Sequence, residues 1–157
     1  MTSYDKYIAN TRFCNDTTVA STSGNYIYYG AFNRISESFK AEKDPIFQCA
    51  NTEKTYGGEY DLKVGLITAD EVQYAGERGF VDSNYFYMAH KSSWFWTASP
   101  YTFSSYAYVF GVSTFEGLMD TTGVSSEDDV RPTVNLKTDT LYTTGNGTKS
   151  NPYIINK

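Results

Sequence analysis

Residues 92–113 read SSWFWTASPYTFSSYAYVFGVS and hold no Asp, Glu, Lys, Arg or His. Aromatic and hydroxyl residues suit a pleated, half-buried surface, so the two ends of this stretch predict strands of a β-rich core. Trp94 and Trp96, two residues apart, share one face of the first strand. Pro100 ends that strand, because a residue without an N–H cannot donate to a ladder. AYVFGVS at 107–113 is the second strand, and the connection at 101–106 is a loop that faces a ligand.

The rest of the chain supplies one short helix and more strands. In VGLITADEVQYAGERG, residues 64–67 form a short apolar strand, and Thr68-Ala69-Asp70-Glu71 matches a capping box. Thr68 would accept from the amide of Glu71 while Glu71 reaches back to the amide of Thr68. Asp70 and Glu71 also lie where the helix dipole favours anions. Gly76 stops the helix as a C′ residue, and Val72 and Ala75 share its inner face, which predicts a helix over 68–76.

Upstream, NYIYYGAFNRI reads as a strand that opens at its glycine, Pro45 starts a short extended piece up to Cys49, and Gly57-Gly58 turns a loop. Downstream, DVRPTVNL is a strand preceded by the hairpin-like excursion FEGLMDTTGVSSED. Gly145-Asn146-Gly147 then turns the chain into a last short strand, residues 152–155. The sum is a single α+β domain, residues 1–157, strand-rich with long irregular connections.

Charge and composition narrow the function classes. A net charge of -5 and a pI near 4.8 argue against nucleic acid and anionic membrane surfaces as partners. No apolar run approaches the length of a membrane span, and MTSYDKYIAN lacks the basic start and apolar centre of a signal peptide. A piece of a longer precursor would read the same way. The 15 Tyr stand among abundant Ser, Gly and Asn, the residues of adaptable recognition loops, although Tyr is equally a good strand former.

Only Cys14 and Cys49 occur, with no C-x-x-C and no neighbouring His, so zinc is not indicated. Two readings stand: one disulfide in an exported protein, or two buried thiols in a cytosolic one. The Asn/Thr/Ser-rich surroundings favour the disulfide.

VGLITADEVQYAG, WFWTASP, YVFGVSTFEGL, VRPTVNL and GNGTKSNPYII follow one another in order. Together they resemble a family of surface domains of Gram-positive (Firmicutes), mostly gut-dwelling bacteria, carried on pilin-like or wall-associated precursors. Those domains in turn are similar to outlying members of the C-type-lectin-like group that includes the formylglycine-generating-enzyme fold. The resemblance covers residues 62–157, and RFCNDTT and YYGAFNRI fit the opening more loosely. It implies a C-type-lectin-like mixed sheet with one or two short helices, and a secreted or cell-surface, adhesin-like role in binding a glycan or protein. The alternative is the structural head of a pilin-like or wall-anchored subunit, with self-association in a surface assembly.

No enzymatic chemistry is singled out. The family's formylglycine-generating members use cysteines in the C-terminal half, and this chain has none after Cys49. His90 is the sole histidine, Ser99 has no nucleophile-elbow pattern, and nothing in the spacing of Asp70, Glu71, Asp120, Asp128 and Asp129 distinguishes a catalytic pair. The acidic turn SSEDD at 125–129 has the oxygen-rich character calcium prefers, yet the calcium motifs of sugar-binding C-type lectins are missing. No cofactor and no metal are therefore expected.

Recognition is assigned to the connections within 98–128, with Tyr101, Phe103, Tyr106, Phe115 and Met119 as ligand contacts. Structural roles fall to Trp94, Trp96, Phe110 and Tyr108 in an aromatic core, to Thr68 and Glu71 at the cap, and to Arg131. Arg131 would brace Asp129, Glu127 or loop carbonyls at the start of a buried strand.

Overall fold

Extended strands are the commonest regular element among the residues that a computed structural model describes, namely 4–36, 45–47, 55–56, 61–75, 93–113, 118–148 and 150–155. Cys49, Gly57-Gly58, Gly76, His90 and Phe115 lie outside the described residues. The first half holds a 3₁₀ turn (Tyr4–Tyr7), β1 (Phe13–Cys14), β2 (Val19–Ser23), β3 (Tyr26–Tyr29) and a π-helical turn (Phe32–Ser36). There follow β4 (Thr55–Tyr56), β5 (Gly65–Leu66) and α1 (Ala69–Tyr74). The second half holds β6 (Phe95–Phe103), β7 (Ala107–Ser113), β8 (Leu118–Gly123), β9 (Pro132–Thr133), β10 (Tyr142–Thr144) and β11 (Ile154–Ile155). The architecture is mixed and sheet-rich, of the α+β class.

Five strands form the main sheet in the order β2-β3-β6-β7-β8, every neighbour antiparallel. Gly24, with φ 58°, makes the two-residue turn between β2 and β3, where a positive φ matches the twist of the hairpin. Smaller two-stranded sheets pair β1 with β4, β5 with β9, and β10 with β11. The N-terminal segment is stitched to the far end of the chain: Ala9 N donates to Asn135 O at 2.8 Å, and Lys137 N to Tyr7 O at 2.8 Å.

The core lies on one face of the main sheet. Phe95, Phe110, Val112 and Met119 come from β6, β7 and β8. Ala31 and Ile35, in and just before the π-helical turn, and Ala69 and Val72 of α1 join the same cluster. Two hydroxyls beside it are satisfied internally. Thr97 Oγ1 donates to Phe110 O at 2.7 Å, and Ser99 Oγ accepts from Ala69 N at 2.9 Å. An unpaired buried hydroxyl would cost about 1–3 kcal/mol, so the Thr97 bond fixes β6 against β7 and the Ser99 bond fixes α1 against β6.

Several expectations are corrected here. Pro100 does not end its strand: β6 runs through it to Phe103, and the pairing with β7 shifts register on either side of the proline. An irregularity of this kind is where a strand tolerates a missing N–H. The indoles are not the core, because alternation along β6 turns Phe95 inward and Trp96 outward. Trp96 pairs with Gly111, and Trp94 Cε3 stands 3.3 Å from where a Cβ on that glycine would sit. Both indoles are half-buried on the outer face, and Tyr108 is exposed. Residues 30–36, read as strand, are helical and π-helical. DVRPTVNL contributes only β9, with single bridges at Asp129 and Leu136, because it changes partner from β6 to β5 to the N-terminal segment.

The capping box forms as read. Glu71 N donates to Thr68 Oγ1 at 3.1 Å and Thr68 N donates to Glu71 Oε2 at 2.8 Å. The inner face pairs Ala69 with Val72, however, and Ala75 is exposed at the C-cap. Six helical residues are too few to be stable alone, so the cap and the packing must act together. Thr68→Ala is therefore expected to lower the unfolding free energy by about 1 kcal/mol, read from the urea midpoint, with Thr68→Ser close to wild type.

Candidate functional site

Two polar regions stand out, and their chemistry differs. The first is buried. The π-helical turn directs Arg34 between two carboxylates from distant segments. Its Nε and Nη2 meet Asp70 Oδ1 and Oδ2 at 2.7 and 2.9 Å, and its Nη1 meets Asp16 Oδ2 at 2.9 Å. Ile46 N adds a bond to Asp70 Oδ1 at 3.1 Å. Burial would raise the Asp16 carboxyl, but hydrogen bonds from Thr18 and Arg34 outweigh it and hold that group below its ordinary 3.8. Burial likewise opposes the Arg34 charge, and pairing with Asp70 and Asp16 lifts its pKa above the usual value. The adjoining cavity, of about 160 Å³, is smaller than ligand pockets usually are. Asp16, Arg34 and Asp70 hold one another, Glu71 holds the helix cap and Arg12 pairs with Asp61 at the rim, which marks the region as a structural node.

The second region lies at the open end of the sheet. Antiparallel pairing of β6, β7 and β8 sets the turn at 104–106 beside the turn at 124–126, and Val124 N donates to Ala107 O at 3.1 Å. Between them is a shallow cleft of about 480 Å³, within the range of small-ligand sites. Tyr106 is 71% exposed and Tyr108 37%. Tyr108 pairs across the ladder with Gly123, and a Cβ on that glycine would lie 3.5 Å from Ser126 Oγ and 3.7 Å from Ser125 Oγ. Two hydroxyls are thus gathered opposite a phenol ring. A second cleft of about 220 Å³, more apolar, continues from the first and shares Ala107, Tyr108 and Val124 with it.

Placement of the predicted contacts is uneven. Phe103, 44% exposed, ends β6 and lines the second cleft, and Tyr106 stands on the turn. Tyr101 is corrected: it lies in β6, not on a loop, and packs against Phe110, Phe32 and Tyr28 at ring-centroid distances of 5.2, 5.5 and 6.0 Å. Burial, with Tyr28 and Asp120 alongside, pushes its phenol above the usual range. Met119 is also corrected: it belongs to β8 and is fully buried in the core beside its ladder partner Val112. The described residues of 98–128 are thus mostly strand, with short turns at 104–106 and 124–126.

Arg131 stacks its guanidinium over Phe95, 4.3 Å from the ring centroid, closing the end of the core. The acidic turn is divided. Asp128 Oδ2 accepts from Thr122 Oγ1 at 2.6 Å, whereas Asp129 accepts from Ser93 on the far side. Among the described residues no three His, Cys, Asp or Glu side chains come together as a metal site. Of the cysteines, Cys14 lies in β1 and no described cysteine is free. Reading the sequence alone misses Tyr108, Val124, Ser125 and Ser126. The available signal was the turn TGVSS, which strand pairing sets beside SSY.

No protein-family model, no curated protein and no solved structure matches this chain.

Asp70→Ala removes the two-pronged partner of Arg34 and leaves two of its part-buried N–H donors unmatched, with only Asp16 still paired, so it should cost roughly 3 kcal/mol. The pH dependence has a definite sign. The folded pKa of Asp16 lies below 3.8, so its contribution is complete above that pH and is lost as pH falls through the folded value. Urea titrations of wild type and Asp16→Asn should differ at neutral pH and converge in acid.

Proposed function

We propose that this chain is a non-enzymatic, adhesin-like binding domain, secreted or displayed on a bacterial surface, that engages a glycan or protein through the paired turns at the open end of the sheet. The carrying observation is the cleft where Tyr106 and Tyr108 stand exposed beside Ser125, Ser126 and Val124. Large rings at a solvated turn lose little side-chain entropy on contact and give wide contact area. An antiparallel five-stranded frame with, among the described residues, one short α-helix is compatible with the C-type-lectin-like arrangement that the sequence resembles. In this reading Cys14 pairs with Cys49, a staple suited to an oxidising compartment.

A second reading is favoured by one specific observation. The β10–β11 hairpin exposes Leu141, Tyr142, Tyr153 and Ile154. Such a hairpin suits burial against a neighbouring subunit, as in the head of a wall-anchored or pilin-like assembly. Sedimentation velocity over a concentration series separates the readings: association abolished by Leu141→Asp supports the structural subunit.

For the binder, arrays of glycans and of host-surface proteins should return a reproducible hit that Tyr106→Ala removes with the melting temperature unchanged. A hit indifferent to that change, or no hit, overturns the assignment. Reduction is expected to lower the stability by about 3–4 kcal/mol. Alkylation of the unreduced, unfolded protein followed by mass spectrometry should label no thiol, and a labelled Cys49 would refute the pairing.

A further inference from the structure

The binding reading above leaves the ligand class open, and the cleft itself narrows it. Its walls are two phenol rings, three serines, an alanine, a glycine and a valine, without a charged side chain. The nearest charges along the chain, Glu127 and Asp128, are both negative. Asp128 is held by Thr122, while Glu127 stands exposed directly after Ser126. Among the described lining residues an anionic ligand would find no cation and would meet Glu127 nearby, and a cationic one would find no carboxylate. The surface offers ring faces and hydroxyls, each able to donate and accept.

We propose that the cleft takes an uncharged carbohydrate. The C–H face of a pyranose lies against Tyr106 and Tyr108, drawn to the negative face of each ring. Its hydroxyls exchange hydrogen bonds with Ser125 and Ser126, which Gly123 leaves room to approach. The adjoining apolar cleft, entered past Tyr108 and Val124 and bordered by Phe103 and Pro100, receives a second residue of the chain. The geometry therefore suits an oligosaccharide better than a single sugar.

The test uses the whole chain and a panel of neutral oligosaccharides, each paired with its sialylated or uronate counterpart, measured by calorimetry. Neutral members should bind with an affinity that is flat from about 0.05 to about 0.5 M NaCl. Acidic counterparts should bind at least roughly tenfold more weakly at low salt, with the gap narrowing as salt rises. Tyr108→Ala should weaken neutral binding roughly tenfold or more, and Tyr108→Phe should retain most of it. Glu127→Lys should strengthen binding of the acidic forms and leave the neutral ones unchanged, a gain that misfolding cannot mimic. Equal or tighter binding of acidic forms overturns the inference and leaves the binding role intact. So does a protein ligand lost on Tyr106→Ala with no sugar bound. Absence of any ligand removes both.

Discussion

Arg34 holds together three parts of the chain that no strand pairing connects. Its two-pronged contact with Asp70 fastens the π-helical turn to the first turn of α1, and its third nitrogen reaches Asp16 between β1 and β2. A charge so nearly buried is tolerated only when its donors are matched, and a guanidinium fork against a carboxylate is the geometry that does so. Space is part of the arrangement. A Cβ on Gly30 would fall 2.1 Å from Asp16 Oδ2, so only glycine lets the carboxylate reach the arginine. The π-helical turn, rare in proteins, is what aims the side chain.

Above this node the core is a single layer between sheet and helix. Ser99 of β6 accepts from the first amide of α1, so helix and sheet meet through a directed bond as well as through Val72 and Phe110. From there an aromatic series runs outward: Phe110 touches Tyr101, Tyr101 touches Phe32 and Tyr28, and Tyr28 stacks with Tyr26, which is exposed. Tyr101 thus belongs to the support of the open end, while the two turns carry Tyr106, Ser125 and Ser126 into solvent. A rigid antiparallel ladder fixes the spacing between those turns while their tips stay in solvent. Charges and core residues stabilise the frame, and the described lining of the cleft between the turns is uncharged.

What was legible in the chain by itself was local. The capping box acts over four consecutive residues, so TADE discloses the start of α1, and the strand AYVFGVS is equally short-range. The distribution of charge, which decides what the surface repels, is also a property of sequence alone.

Tertiary structure decided the rest. Arg34 and Asp70 are 36 residues apart, and nothing in either neighbourhood names the other. The shift in pairing that accommodates Pro100 depends on β7, so the strand could not be read past the proline. Which side of β6 faces the core was equally undetermined. Two Trp and one Phe alternate in WFW, and burial of Phe95 follows from the helix that covers that face. The cleft exists because β6, β7 and β8 pair in register and bring residues 104–106 beside 124–126. Sequence sets the chemistry each residue can offer, but proximity between distant residues is a property of the folded chain, since it arises only when burial and pairing are satisfied together.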